Sequence, residues 1–268
     1  MEKEHYNLIF GFGQSCGCSS SLRRAGLQFL TFPGDWTGPL WHDASHPPLA
    51  HELQHRVETL CQGGPGFMEE KSFFAKGTVS NTGKAVYINA ETRYIFNHDF
   101  PIGCDFPTEI QKVAAKYRKR YNRLLELFAK SERVLFVRMD IPGGDDPTSL
   151  EACRLARKRL NERFAPAKFD ALLVSCDPTV PFERRRFEKV EEGLFRLTFD
   201  YLDRTNPLPL QPDTSLTSVA LAEHFSVDDY RTAEEKRSFA KARRRKRLQR
   251  LKDKIVRHLG RLFGKGKK

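Results

Sequence analysis

No long uninterrupted apolar segment occurs in this sequence of 268 residues. A membrane-spanning helix needs roughly 18 consecutive apolar residues, so we expect none here. The first residues, Met1 to His5, also lack the basic stretch and apolar run of a secretory signal. These absences predict a soluble, cytoplasmic protein.

Cysteines are few, and their spacing is uninformative about metals. The six, at positions 16, 18, 61, 104, 153 and 176, follow neither a secreted disulfide framework nor the paired CxxC spacing of a zinc site. His51 and His55 have the i, i+4 spacing of a metal site, but there is no HExxH motif. We therefore expect reduced thiols and no metal, and no motif indicates a cofactor.

Excess positive charge is missing from most of the chain. The formal net charge is +12, but residues 237–268 alone hold 15 basic residues and one acid, Asp253. The rest of the chain is nearly balanced, with 31 basic against 33 acidic residues. Apolar residues recur at three- and four-residue steps within the basic segment, at Leu248, Leu251, Ile255, Leu259 and Leu262. This pattern predicts a C-terminal basic amphipathic helix.

Such a tail suits an anionic membrane surface, an acidic polymer such as nucleic acid, or a partner helix. We favour the membrane surface, because the apolar stripe would be unused in phosphate binding, where charge dominates. The sequence thus predicts a body over residues 1–230 and a tail over residues 231–268, with the protein peripheral to an anionic membrane. Nothing in the sequence indicates an oligomeric state.

Alternating strand and helix signals predict the fold of the body. Apolar runs typical of buried strands occur at residues 6–12, 134–138 and 171–175. Periodic apolar residues follow capping boxes that begin at Thr108 and Thr148, which predicts a helix after each. The succession predicts an α/β fold with a mostly parallel sheet and helices on both faces.

Two further segments are β-prone. Residues 85–96 are expected to form two short strands or one bent strand, which Pro101 ends. Residues 194–199 are expected to add a strand at the edge of the sheet.

Cys16 follows the first predicted strand and precedes a predicted helix. Open α/β folds hold reactants beyond the carboxyl ends of their strands. A helix N-terminus also favours negative charge, so we expect a lowered thiol pKa and backbone amides that can stabilise an oxyanion. The alternative interpretation is that Cys16 is a small buried residue that fills a turn.

A cysteine nucleophile needs a base, and the base needs a group that orients it. His98 ends a β-like segment, and Asp99 follows it directly. Either Asp99 or Asp35 can orient the imidazole, although adjacent strand residues point to opposite faces, which argues against Asp99 unless the strand has ended. Arg138 falls at another strand end, where it either lines the same cleft or forms a surface ion pair.

Two blocks of this sequence resemble a bacterial family of papain-like cysteine peptidases of unknown function. Residues 11–36, GFGQSCGCSSSLRRAGLQFLTFPGDW, are similar to its Gly-x-x-Cys turn, helix and Pro-Phe-Asp-Trp-like segment, with Gly34 in place of the phenylalanine. Residues 97–101, NHDFP, and residues 112–138 are similar to its His-Asp-Phe block, basic helix and strand ending in arginine.

By that resemblance Cys16 would be the nucleophile, His98 the base and Asp99 the supporting acid. Asp35 belongs to the Pro-Phe-Asp-Trp-like segment, and Gln14 is a further supporting candidate, because papain-like enzymes carry a glutamine before the cysteine. The resemblance implies a peptidase or acyltransferase for a peptide, acyl or glycan-linked substrate, with a link to bacterial surface polysaccharide. The alternative is a non-catalytic binding or scaffold protein that docks through its tail.

Overall fold

The computed structural model describes residues 2–13, 15–37, 52–64, 68–139, 148–205 and 212–242, together with residues 244–245, 248–249 and 252. The chain divides into two units, Met1–Asp228 and Asp229–Lys268, which we treat separately.

The first unit contains ten strands and five α-helices within its described residues. The strands are β1 (Glu4–Tyr6), β2 (Leu8–Gly11), β3 (Phe73–Val79), β4 (Lys84–Asn89), β5 (Ile95–Pro101), β6 (Arg133–Met139), β7 (Lys168–Cys176), β8 (Arg186–Glu191), β9 (Leu194–Phe199) and β10 (Phe225–Val227). The helices are α1 (Cys16–Arg24), α2 (Glu52–Cys61), α3 (Phe106–Phe128), α4 (Thr148–Arg163) and α5 (Thr214–His224). Short 3-10 turns cover Pro33–Asp35, Glu70–Ser72 and Phe182–Arg184.

A five-stranded sheet in the order β2-β6-β7-β9-β8 forms the centre of the unit. The first four strands are parallel, and every residue of β2 and all but the first of β6 are buried. Continuous apolar runs of this kind are what a covered parallel sheet requires. The predicted α/β fold with a mostly parallel sheet is confirmed.

The edge of this sheet differs from the prediction. β9 pairs with β7 on one side and with the antiparallel β8 on the other, so the segment predicted at the edge is an inner strand. β8, Arg186–Glu191, was missed because it is mostly exposed and carries four charged residues in its six, which leaves no apolar run to detect.

A separate antiparallel sheet, β3-β4-β5, carries the predicted histidine. The segment expected as two strands or one bent strand forms two strands, β4 and β5, and β5 ends at Pro101 as predicted. After β5 the chain enters α3 at Phe106, earlier than the capping box at Thr108 predicts. Asp105 is the N-cap instead, because its carboxylate accepts a hydrogen bond from the Thr108 amide at 3.3 Å.

The apolar side of α1 packs into the core beside the central sheet. Cys18 and Leu22 belong to one buried cluster with Ile9 of β2, Leu135 of β6 and Leu221 of α5. A nearby aromatic group includes Phe128 of α3, whose ring lies 5.4 Å from that of Phe10 and 4.9 Å from that of Phe169. α1 is thus held between the sheet and α5, which fixes the position of its first residue.

The first and last strands of the first unit, β1 and β10, pair in parallel. His5 of β1 lies 3.0 Å from both Ser226 and Asp228, and the Asp228 amide donates to the Tyr6 carbonyl at 3.0 Å. Neither β10 nor α5 was predicted, since α5 shows almost no amphipathic periodicity to detect.

In the second unit residues 233–242 are helical. Of the predicted apolar stripe, Leu248 is described and is 52% exposed, whereas Leu251, Ile255, Leu259 and Leu262 lie outside the described residues. Among all helices that the structure describes, none is long and apolar enough to cross a membrane.

Candidate active site

Cys16 opens α1 a few residues beyond the carboxyl end of β2. The preceding Ser15 has an extended backbone, and its hydroxyl accepts a hydrogen bond from the Gly17 amide at 3.2 Å. Ser15 is therefore the N-cap that starts the helix at Cys16. The cysteine lies where its sequence context predicts, between a strand end and a helix start.

The surroundings of Cys16 act on its thiol in an unexpected direction. The side chain is partly buried, and this burial raises the pKa of the thiol, while a hydrogen bond from its own backbone amide opposes the rise. The helix start had predicted a lowered pKa. Cys16 is thus a protonated thiol at neutral pH, and it needs a base to become a nucleophile.

Cys18, the second cysteine of the turn, has a structural role. It is 1% exposed, and its thiol donates to the Val137 carbonyl at 3.5 Å. Burial, together with the nearby charge of Asp35, raises the pKa of this thiol to about 12. Of the two cysteines in the turn, Cys16 is therefore the one suited to chemistry.

Gly17 separates the two cysteines and touches a distant part of the chain. A Cβ atom placed on Gly17 would lie 2.2 Å from Cγ of Pro212, which immediately precedes the Asp213 cap of α5. Only glycine allows this approach. The segment that leads into α5 therefore packs directly against the turn that carries Cys16.

Asp35 is a buried anchor for the segment that follows α1. Its carboxylate accepts hydrogen bonds from Ser19 at 2.7 Å, Arg23 at 2.6 Å and Gln28 at 2.8 Å, and from the Phe32 amide at 2.8 Å. Ser19 and Arg23 lie on α1 three and seven residues after Cys16, and thus on the same helix face. Asp35 therefore binds the face of α1 that begins with Cys16.

Trp36 connects this anchored segment to the strand that carries His98. The guanidinium of Arg23 lies 5.5 Å from the centre of the indole, and the His98 ring meets the indole edge to face at 5.5 Å. The next residue, Thr37, forms an antiparallel bridge with Phe96 of β5. Trp36 is consequently in contact with both the helix of Cys16 and the imidazole of His98.

His98 is half-buried on β5, and its Nδ1 lies 3.3 Å from the Thr82 hydroxyl. Burial lowers the pKa of His98, the charge of Asp99 opposes this, and Lys116 adds to it. The imidazole is therefore neutral at neutral pH. A neutral imidazole is the form that can accept a proton from a thiol.

The carboxylate of Asp99 is bound by side chains of α3. It is buried and accepts hydrogen bonds from Lys116 and, at 3.2 Å, from the Tyr117 hydroxyl, both on α3. The pairing of β4 with β5 shifts register between Phe96 and Phe100, the stretch that contains both His98 and Asp99. Within the described residues neither Asp99 nor Asp35 is hydrogen-bonded to His98; Asp99 acts on the imidazole through its charge.

Arg138 is buried and connects two elements next to the site. It is 6% exposed and donates to the Phe12 carbonyl and to Glu52, each at 3.1 Å. Glu52 in turn accepts a hydrogen bond from Arg56 at 2.8 Å. These contacts join the end of β2 to α2, so Arg138 supports the turn before Cys16. Of its two predicted roles, a surface ion pair is wrong because the pair is buried.

One predicted site residue lies outside the described residues, and three residues near the site were overlooked in the sequence. Gln14 is the residue outside them. The role of Ser19 and Arg23 was overlooked, although their helical spacing from Cys16 was a signal. Thr82 was overlooked because its neighbour His98 is 16 residues away in sequence and no local pattern joins them.

Comparison with known proteins identifies a family for the chain. A family model described as "Putative papain-like cysteine peptidase (DUF1796)" matches residues 7–179, which include Cys16, Asp35, His98 and Asp99. No curated protein and no solved structure gave a significant match. Because the match covers more than half of the chain, this protein belongs to the family of papain-like cysteine peptidases that the model describes.

Proposed function

We propose that this protein is a papain-like cysteine hydrolase, a peptidase or an acyltransferase, in which Cys16 is the nucleophile and His98 the base. The observation that carries the proposal is the contact of Trp36 with two elements at once. The indole packs against Arg23, on the helix that Cys16 begins, and against the ring of His98. The helix that Cys16 begins and the strand that carries His98 thereby meet at one aromatic side chain.

The protonation states favour a base-assisted attack over a preformed thiolate. The Cys16 pKa is raised and the His98 pKa is lowered, so both groups are neutral at neutral pH. As the sulfur of Cys16 bonds to a substrate carbonyl carbon, its proton passes to His98. The developing oxyanion lies near the positive end of α1, which stabilises it.

The second half of the reaction returns the proton. His98 gives it to the leaving amine or alkoxide as the carbonyl–heteroatom bond breaks, which leaves a thioester on Cys16. Water then releases the acid in a peptidase, or an alcohol or amine accepts the acyl group in an acyltransferase. Asp99 favours the imidazolium during these steps through its charge, while Lys116 and Tyr117 hold its carboxylate in place.

The substrate class follows from this chemistry. A peptide, an acyl ester or a glycan-linked ester each offers the carbonyl that Cys16 requires. The resemblance of the opening motif associates the protein with bacterial surface polysaccharide. This association favours, as the substrate, a carbonyl compound involved in the synthesis or export of such polysaccharide.

Alkylation of Cys16 by iodoacetamide tests the proposal. Between about pH 5 and pH 9, the wild-type rate should rise as His98 loses its proton, at a pH below the usual imidazole range, and rise again as the thiol ionises. His98→Ala should remove the first rise and lower the rate near pH 6 by roughly 10-fold, because the base is lost. Peptide mapping by mass spectrometry measures each cysteine separately.

Cys104 is the internal reference, since it is also partly buried and lies on the same chain. His5→Ala is the matched control, because His5 is exposed and bonds to Ser226 and Asp228 on β10 and the residue after it. It should leave the Cys16 rate unchanged. Equal rates for Cys16 and Cys104 near pH 6, together with no effect of His98→Ala, would contradict the proposal.

The charge distribution supports a second candidate, a non-catalytic scaffold that docks on an anionic membrane through residues 237–268. Fifteen basic residues against one acid make this segment suitable for an anionic surface, whatever the body does. This proposal places the protein in the cytoplasm, attached peripherally to the inner membrane. A partner helix or nucleic acid are the alternative binding partners of the tail.

A further inference from the structure

The ring of His98 is held by neighbours other than a carboxylate. Among the described residues its polar contact is the Thr82 hydroxyl, 3.3 Å from Nδ1, and its aromatic contact is Trp36. The carboxylates of Asp35 and Asp99 are occupied by donors from α1 and α3. The position next to a catalytic imidazole, where many enzymes place an orienting group, thus holds a hydroxyl.

Thr82 is fixed by the hairpin turn between β3 and β4. The Lys84 amide donates to the Ser80 hydroxyl at 3.2 Å, and the Ser80 hydroxyl lies 2.9 Å from that of Thr82. The Gly83 amide closes the turn on the Ser80 carbonyl at 3.0 Å, with Gly83 at a φ of +70° that favours glycine. The hydroxyl of Thr82 is therefore carried on an ordered turn and not on a long loop.

The polar neighbours of Thr82 favour one tautomer of the His98 ring. The Thr82 hydroxyl also donates to the Asn97 carbonyl at 3.4 Å, and a carbonyl can only accept. With its one hydrogen directed to that carbonyl or to the nearer Ser80 oxygen at 2.9 Å, the Thr82 oxygen has lone pairs to accept the Nδ1–H of His98. Nδ1 is then the protonated nitrogen, and Nε2 keeps the lone pair that a general base requires.

We propose that Thr82 is the positioning residue of His98: its hydroxyl accepts the Nδ1–H bond, holds the ring, and keeps Nε2 as the proton acceptor. This inference deepens the proposed function, because the tautomer matters for catalysis only if His98 is the base. Trp36 also restricts the orientation of the His98 ring, because the two rings are in contact. It cannot select a tautomer, since an aromatic ring offers no acceptor to Nδ1–H.

Nitrogen-15 NMR of histidine-labelled full-length protein measures the tautomer directly, at a pH above the His98 pKa, with His98→Gln to assign its signals. In the wild type we expect a protonated Nδ1 and an unprotonated Nε2. Thr82→Val keeps the shape and removes the hydroxyl, which should shift the ratio of tautomers toward Nε2–H by about five-fold, the effect of one hydrogen bond. Thr82→Ser should restore the wild-type ratio.

Thr78→Val is the matched control, because Thr78 is an exposed residue of β3 on the same hairpin. It should leave the His98 signals unchanged, whereas a shift equal to that of Thr82→Val would overturn the inference, as would an unchanged ratio in Thr82→Val. The Cys16 alkylation rate separates the two proposals. A Thr82-dependent tautomer with an unreactive Cys16 supports the positioning role and contradicts the hydrolase, whereas a reactive Cys16 with a Thr82-independent tautomer does the reverse.

Discussion

At the scale of single residues, Asp35 is the buried charge that organises the site without touching the imidazole. Four donors surround its carboxylate, and its ion pair with Arg23 is fully buried on the aspartate side. A buried carboxylate tolerates desolvation only when its oxygens are satisfied in this way. Its place in the Pro-Phe-Asp-Trp-like segment is thus explained by packing around α1.

Asp35→Asn should destabilise the protein by about 3 kcal/mol, because it leaves Arg23 without its counter-charge and turns an NH2 group toward other donors. Urea denaturation measures the free energy of unfolding. Since Trp36 would lose its support, the Cys16 alkylation rate at near-neutral pH should also fall.

Glu192→Gln is the control for removal of a carboxylate. Glu192 pairs with Lys189 at the surface and is 92% exposed, so solvent screens the pair and little change is expected. If Asp35→Asn were no more destabilising than Glu192→Gln, the role of Asp35 as a buried anchor would be wrong.

At the scale of elements, the start of α1 depends on α5. The glycine between the two cysteines is needed because Pro212 occupies the space of a side chain. Helix propensity alone would make alanine the better residue here by about 1 kcal/mol. Packing between elements overrides that preference.

Gly17→Ala should therefore destabilise the protein, by about 2 kcal/mol, because a proline ring cannot move aside as a flexible side chain can. Pro212→Ala should relieve the clash, so the double variant should be more stable than the sum of the two single changes predicts. Thermal or urea unfolding of all four proteins gives this coupling.

Ser20→Ala, on the same helix, serves as the comparison for an alanine substitution that adds no side-chain atom. Additive effects of Gly17→Ala and Pro212→Ala would show that the two residues do not press on each other in solution. A lowered Cys16 alkylation rate in Gly17→Ala alone is the further expectation, since the clash displaces the first turn of α1.

Elements with a local signal were predicted well, and elements without one were missed. α4 begins at Thr148, close to its predicted start, and Pro101 ends β5. The cap of α3 lies three residues earlier than predicted, because Asp105 caps in place of Thr108, a choice between two good caps that the surrounding fold makes. β8 and α5 carry neither apolar alternation nor helical periodicity strong enough to detect.

At the scale of the whole molecule, the family match ends at residue 179, but the first unit continues to Asp228. β8 and β9 complete the central sheet, and α5 packs on α1. The region beyond the match therefore belongs to the same folded unit as Cys16.

The basic tail leads to a prediction about the whole chain. Full-length protein should co-sediment with vesicles that contain phosphatidylserine, and removal of residues 237–268 should abolish this binding. Each basic residue near an anionic surface contributes about 1 kcal/mol, so the loss should be complete in a sedimentation assay. Salt should weaken the binding, because it screens charge.

Vesicles of phosphatidylcholine alone are the control, with no binding expected. Equal binding to neutral and anionic vesicles would contradict the electrostatic part of the proposal. Stronger binding to a single-stranded oligonucleotide than to anionic vesicles at the same salt concentration would assign the tail to nucleic acid instead.

The sequence by itself determined the α/β class, the placement of Cys16 at a helix start and the confinement of excess charge to the tail, because caps, periodicity and charge are local properties of a chain. The tertiary structure alone decided that the thiol pKa is raised and that Asp99 faces Lys116 and Tyr117. It alone brought Trp36 and Thr82 to His98. These depend on burial and on contacts between distant segments, which a linear pattern does not encode.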